Sequence, residues 1–416
     1  MKHVKYGKCT LCEMTVDLST HLTCPKCGEK GILDVIYDYN YLKKTINKAY
    51  FKSSNIYNIW RYKDILPIQG QFIEETLQVG WTPLLKAKQL AKQLHLNSVY
   101  IKDEGMEPTG SLKDRASIIA VVKAKERGDQ TISCSSTGNA ASSLAGNAAK
   151  VGLNTVIFVP KRAPSGKTAQ LLMYGAKVVR VDGDYKAAFN LSKAAIDKYG
   201  WYNRNAAINP HLVEGKKTVA YEIIEQRDFT VPDWVVVSVG DGCTIAGIYK
   251  GFYDFYQLGL IEKMPKLLGV QAEGCAPIYK AFHTQQPIVE SDELTLADSI
   301  AVGIPRNPIK ALNAVQATKG SYVKVSDTDI LQAMRTLGAC EGLFAEPASA
   351  AGYAGLKKAV EKGVIKKVDS VVLVATGNGL KDLDNALKAV PSPSTIKPTL
   401  EALTQYLNTK DDTNEV

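Results

Sequence analysis

Apolar residues in this chain come in short β-branched runs, set apart by longer stretches with helical spacing. The runs SVYIKD, TISCSS, NTVIFVP, KVVRVDG, WVVVSVG, KLLGVQAE, SYVKVS and VVLVAT read as strands. Between most of them lie helical stretches such as GNAASSLAGNAAK and SDTDILQAMRTLGA. Short apolar strands that alternate with helices form parallel sheets with helices on both faces. The pattern predicts an α/β fold, with one compact βαβαβα unit over 131–200 and a second sheet over 233–390. Residues 38–80, rich in Tyr, Asn and Ile, predict a helix and an extended connector packed on the main body. From about Pro391 the Pro, Ser and acidic content predicts a last helix and a frayed tail.

The first 37 residues differ from the rest. Four of the eight cysteines lie there, as Cys9-x-x-Cys12 and Cys24-x-x-Cys27, followed by the strand-like ILDVIYDY. Two close CxxC knuckles in a large chain point to metal rather than disulfides. Four thiolates set tetrahedrally fit one zinc ion, whose binding supplies folding free energy that so short a segment lacks. The plain alternatives are a ribbon that keeps its shape without metal, or a redox pair. A four-thiolate site has no open coordination position, so the metal is expected to be structural. Cys134, Cys243, Cys275 and Cys340 are scattered and show no pairing pattern.

Composition narrows the class. The chain has 416 residues, 45% hydrophobic and 22% charged, which is ordinary for a globular protein of two or three domains. No apolar stretch is long enough to span a membrane, and the basic opening has no apolar run or cleavage site after it that would suggest a signal peptide, so a cytoplasmic location is expected. The net charge of +9 is spread along the sequence, which speaks against nucleic acid and for an anionic cofactor or substrate. The densest lysine groups, Lys216-Lys217, Lys357-Lys358 and Lys366-Lys367, read as solvated helix faces or ends.

Three loops carry candidate chemistry, each where a strand gives way to a helix. In the first, SVYIKD runs through a Pro/Gly turn to Ser111-Leu112-Lys113-Asp114-Arg115. A lysine in the first turn of a helix has a lowered pKa, because the dipole disfavours its charge, and that suits an imine-forming amine. The alternative is a surface lysine. In the second, Ser136-Thr137-Gly138-Asn139 offers hydroxyls and free N–H groups to a carboxylate, or simply caps a helix. In the third, Gly240-Asp241-Gly242-Cys243-Thr244 follows WVVVSV, at the place where a glycine loop cradles phosphate. No GK[ST] closes it, so it is not a Walker loop.

Together, PTGSLKDRAS, SSTGNAAS, the glycine loop and ATGNGLKD resemble threonine synthase and its relatives among the tryptophan-synthase-β-like, fold-type II enzymes that use pyridoxal phosphate (PLP). VGWTPL, IFVPK, INPHLVEGKKT and FAEPASAAG extend the resemblance, which covers residues 1–390 including the ribbon. It implies two open parallel-sheet domains with PLP in the cleft between them. The expected boundaries are a zinc ribbon at 1–37, a large cofactor domain at 38–114 and 213–390, a small mobile domain at 115–212 and a tail at 391–416. It further implies that Lys113 carries PLP as a Schiff base, that Asn139 bonds the cofactor's phenolic oxygen, and that Gly240 to Thr244 hold its phosphate. Thr376 would face the pyridine nitrogen, and Ser136, Thr137 and Gly138 would hold the substrate carboxylate. The group commonly forms homodimers.

The block 203–215 departs from the family pattern. Threonine synthases of this type carry Asn and Ser shortly before NP and an Arg two positions after it, to grip the phosphate of O-phosphohomoserine. Here the stretch reads Ala206-Ala207-Ile208-Asn209-Pro210-His211-Leu212, and Leu212 has no donor to give. Ala301-Val302-Gly303 likewise lacks an expected Arg. Arg204, Asn205 or His211 would have to compensate, and Arg204 is the candidate substrate residue. The resemblance thus implies elimination or replacement on an amino acid, most simply threonine synthase. Its alternative is a related serine/threonine ammonia-lyase or a β-replacing synthase.

Overall fold

The computed structural model describes residues 1–161 and 165–408. Three sheets organise them. At the N-terminus, β1 (Val4–Cys9), β2 (Thr15–Val16), β3 (Thr23–Cys24) and β4 (Gly28–Tyr37) form an antiparallel ribbon in the order β2-β1-β4-β3. The main sheet contains β5 (Leu84–Lys86), β6 (Ser98–Asp103), β11 (Trp234–Ser238), β12 (Lys266–Ala272), β13 (Ser321–Val325) and β14 (Ser370–Ala375). Its order is β13-β12-β11-β14-β6-β5, parallel except for β5 at the edge. A second parallel sheet, β10-β7-β8-β9, is built from β7 (Thr131–Ser135), β8 (Asn154–Pro160), β9 (Lys177–Val181) and β10 (Tyr202–Asn203).

The reason for this arrangement lies in the strand sequences. β11 is buried at every position, and β12 and β14 at all but the first. Continuous runs of that kind suit only a sheet covered on both sides. One core, with Val235, Val237, Ile248 and Phe252, lies on one face of the main sheet, and another, with Val236, Val270, Ala351 and Leu356, lies on the opposite face. The helix Lys113–Arg127 serves two cores at once. Ile118, Ile119 and Val122 face the main body, while Ala116, Ala120, Val121 and Ala124 face the second sheet. Its small-residue face admits the helix His211–Lys216 so closely that a side chain on Gly215 would overlap the Arg115 carbonyl, at 1.8 Å.

Residues 38–80 are more broken than expected, forming two short helices (Tyr39–Leu42, Lys48–Lys52) and two 3-10 turns (Ile59–Ile65, Ile73–Glu75). Arg61 knits them to the body by a bidentate pair with Glu225 and bonds to the carbonyls of Phe51, Ser54 and Ile56. The last described helix, Leu400–Asn408, buries none of its residues. The expected tail beyond 408 lies outside the described residues. No helix among those described is long and apolar enough to cross a membrane.

The expectation of a solvated Lys216-Lys217 is corrected here. Lys217 is wholly buried and Lys216 nearly so, at 5% exposure. The helices His211–Lys216 and Thr218–Glu225 run through the centre of the molecule, and adjacent charges on such a path cannot both face water.

Candidate active site

The ends of the main-sheet strands meet the start of the helix Lys113–Arg127. The chain leaves β6, turns at Gly110 (φ +84°) and returns so that Leu112 N–H donates to the Thr376 carbonyl at 2.9 Å. Ser111 pairs with Gly377, which fixes Lys113 beside the end of β14. Behind the turn, Asp114 accepts from the N–H and hydroxyl of Thr109, both at 2.7 Å, and from Asn147. Arg115 is fully enclosed and bonds Glu104 and Glu222. A network of this kind holds the first turn rigid, which a positioned amine requires.

Lys113 faces a cavity, and its pKa is lowered as the sequence led us to expect. Burial is the main cause, followed by the opposing pull of Glu346 and the push of Arg204. Desolvation thus does most of what the helix dipole was expected to do.

Gly240, Asp241, Gly242, Cys243 and Thr244 wall the same cavity, where β11 gives way to the helix Cys243–Gln257. Gly242 has φ +86°, and a Cβ there would stand 2.7 Å from the Asn307 carbonyl. Only glycine lets the loop pass. The Asp241 carboxylate turns away to accept from Arg306 N–H at 3.2 Å. The first-turn N–H groups of Cys243–Gln257 have no partner within the helix. Nearby Ser238, also in the wall, has a buried hydroxyl with no partner.

Thr376 lines the cavity too, and its hydroxyl contacts Ser349 and Glu346, each at 3.1 Å. Asn139, the first residue of the helix Asn139–Lys150, donates to Glu346 at 2.7 Å. Glu346 therefore joins a residue of the second-sheet layer to one at the end of the main sheet, and burial raises its pKa. It went unassigned in the sequence, although FAEPASAAG was legible as a motif. Ser136, Thr137 and Gly138 are half-buried at the same helix start, next to the wall residue Ala140 but not themselves part of that wall.

Arg204 is 2% exposed and lines the cavity. Its Nε and Nη2 both donate to Ser117 Oγ at 3.1 Å, and among the described residues no carboxylate pairs with it. Burial lowers its pKa. Leu212 is in the wall as well and offers only methyl groups. Asn205 accepts from Ser135 N–H and His211 sits buried beside Tyr202, and neither is among the residues that line the cavity.

In the ribbon, the sulfurs of Cys9, Cys12, Cys24 and Cys27 all lie within 4.8 Å of one another, with Cys12 and Cys24 at 3.6 Å. A tetrahedron with metal–sulfur bonds of 2.3 Å has edges of about 3.8 Å, so the donor set fits zinc. A side chain on Gly31 would strike the Cβ atoms of Cys24 and Cys27 at 2.5 and 2.6 Å. The adjoining residue, Ile32, packs on Ala207, Val213 and Cys243, so the ribbon backs directly onto the cavity's wall.

A family model for pyridoxal-phosphate dependent enzymes matches residues 75–377. The threonine synthase of Methanosarcina acetivorans is 40% identical over 388 residues, covering 92% of this chain and 94% of the relative. That of Methanocaldococcus jannaschii is 38% identical, covering 96% and 98%. Among solved structures, diaminopropionate ammonia lyase from Escherichia coli superposes with a TM-score of 0.67 at 20% identity, covering 83% of this chain and 96% of that one. Threonine deaminase isoform 2 from Solanum lycopersicum gives 0.65 at 21%, covering 85% and 93%. The structural likenesses establish the fold. With an amine, a glycine loop and a buried guanidinium around one cavity, and identity over nearly the whole length, the chain belongs to the pyridoxal-phosphate dependent enzymes, in the threonine synthase family.

Proposed function

We propose that the protein converts O-phosphohomoserine and water to threonine and phosphate on PLP held at Lys113. The observation that carries this reading is Arg204, a buried residue in the wall of the Lys113 cavity that pairs with no carboxylate among the described residues. A phosphorylated substrate supplies that anion, and Arg204 then stands in for the arginine that Leu212 displaces.

When bound, PLP provides an electron sink conjugated to the substrate nitrogen. Gly240 to Thr244 hold its phosphate through main-chain N–H groups, Asn139 meets its phenolic oxygen, and Thr376 its ring nitrogen. A neutral hydroxyl at the ring nitrogen favours elimination over transamination. Lys113, whose pKa burial lowers, takes the proton from the substrate α-carbon and returns protons later in the sequence. Ser136, Thr137 and Gly138 meet the substrate carboxylate once the second-sheet layer, 115–212, closes. The rest of the body, 38–114 with 213–390, forms the fixed cofactor domain. Cys9, Cys12, Cys24 and Cys27 hold a structural zinc. The enzyme works in the cytoplasm as a homodimer.

Leu212 favours a second reading, a lyase acting on an unphosphorylated amino acid. Turnover of serine, threonine and O-phosphohomoserine, with free phosphate and 2-oxo acid both assayed, separates the two. Threonine and phosphate in equal amounts support the first; 2-oxo acid from serine or threonine alone overturns it.

A further inference from the structure

Lys216 is a buried cation that the reaction outlined above does not use. Its neighbour Lys217 is neutralised by Glu214 at 2.7 Å and Asp254 at 2.8 Å. Lys216 has no such partner among the described residues, yet it is 5% exposed and lines the Lys113 cavity. The ionisable groups near it pull both ways, Cys243 and Asp241 favouring its charge and Lys113 and Arg204 opposing it. The carboxylate of Asp241 is itself engaged by the backbone of Arg306. Burial chiefly, helped by those two cations and opposed by Cys243 and Asp241, pushes its pKa down to about 8. An ammonium in this setting is costly unless an anion joins it.

Its position says which anion. The Lys216 side chain lies alongside the first turns of Cys243–Gln257, so that a Cβ on Gly247 would meet the Lys216 Cβ at 2.9 Å. The start of that helix is the Gly240–Thr244 loop, with its unpaired N–H groups and positive dipole end. Arg204 is anchored elsewhere, through its N–H to the Ser133 carbonyl of β7 and through its guanidinium to Ser117. The two cations approach the cavity from different supports, which allows each its own phosphate.

We propose that Lys216 is the counter-cation of the cofactor phosphate, adding a full charge to a clamp otherwise made of neutral main-chain donors. The proposal rests on the reading that the Gly240–Thr244 loop holds that phosphate. The test compares the affinity of the full-length apoenzyme for PLP with its affinity for pyridoxal, which lacks the phosphate. In Lys216→Gln and Lys216→Met, PLP affinity should fall by about tenfold to a hundredfold, as expected for one charged hydrogen bond. Pyridoxal affinity should stay unchanged, and Lys216→Arg should restore most of the difference. Removing an uncompensated buried charge should leave the fold intact, checked by circular dichroism. An unchanged ratio of the two affinities in both variants overturns the proposal. So does a normal ratio combined with a raised KM for O-phosphohomoserine, which would give Lys216 to the substrate instead. Gly242→Ala tests the underlying reading on its own. If it leaves the ratio unchanged, the loop does not hold the phosphate, whatever Lys216 does.

Discussion

Replacing Arg204 by methionine should make the unliganded protein more stable and the enzyme less selective. The guanidinium is buried, with one hydroxyl, Ser117 Oγ, receiving two of its N–H groups and no carboxylate paired with it among the described residues. Desolvating such an ion costs several kcal/mol, and bonds to one neutral hydroxyl return only part of that, about 1.5–3 kcal/mol. A methionine of similar length fills the space without the ionic penalty, so a net gain of about 2 kcal/mol is expected. For 416 residues, at about 2.1 cal/mol/K of unfolding entropy per residue, this raises Tm by about 2 °C. Function moves the other way. Each lost charged hydrogen bond to the substrate phosphate removes about 1.5–3 kcal/mol, so kcat/KM for O-phosphohomoserine should fall by one to two decades per bond. Elimination from serine, which has no phosphate, should be unaffected. Scanning calorimetry of the apo protein and steady-state kinetics on both substrates read the two effects. A Tm lowered by several degrees with an unchanged KM would refute the reasoning and make Arg204 a strut that ties its loop to Ser117.

Lys113→Ala should abolish the visible cofactor band and the activity while leaving the fold intact. Borohydride reduction of the wild type followed by peptide mapping should find the pyridoxyl group on Lys113, and a label on another lysine would reject the assignment. Protein prepared without chelators should contain about one zinc per chain, and Cys24→Ser should lose it and expose the ribbon to protease; metal well below stoichiometry counts against the site. His211 should make the protein acid-sensitive. Burial holds its folded-state pKa at about 3, below the ordinary 6.5, so as pH falls through 6.5 the unfolded chain gains a proton that the folded chain refuses. Stability is then lost by up to about 1.4 kcal/mol per pH unit between those values, and His211→Gln should flatten the urea midpoint over that range. Parallel curves would rule this out.

The strands were legible because buried parallel strands are apolar throughout. SVYIKD and NTVIFVP coincide with β6 and β8 to the residue, and WVVVSVG overruns β11 at Val239 and Gly240. β10, two residues long, has no such pattern and exists only through its pairing with β7. Charge was harder to read. Lys216 and Glu346 look like solvated residues in the sequence, since nothing local distinguishes a lysine in water from one beneath a helix. Their burial is decided by elements far along the chain, and so is Arg204's. The lowered pKa of Lys113 was foreseen from its place at a helix start, while its principal cause, enclosure, depends on β14 and the Gly240 loop.

The strand Gly28–Tyr37 is fastened by residues synthesised long after it. Tyr37 donates to Glu214 across a separation of 177, and the Leu33 carbonyl receives Lys310 across 277. Such distant closures are slow to form. The Lys113 turn also waits, since Leu112 finds its partner only at Thr376, just past the last strand of the main sheet. A growing or truncated chain that stops before β14 has the reactive lysine but neither the carbonyl that anchors it nor the hydroxyl that would face the cofactor ring. If Lys113 takes up the cofactor's aldehyde, that capture would report that synthesis has passed Thr376.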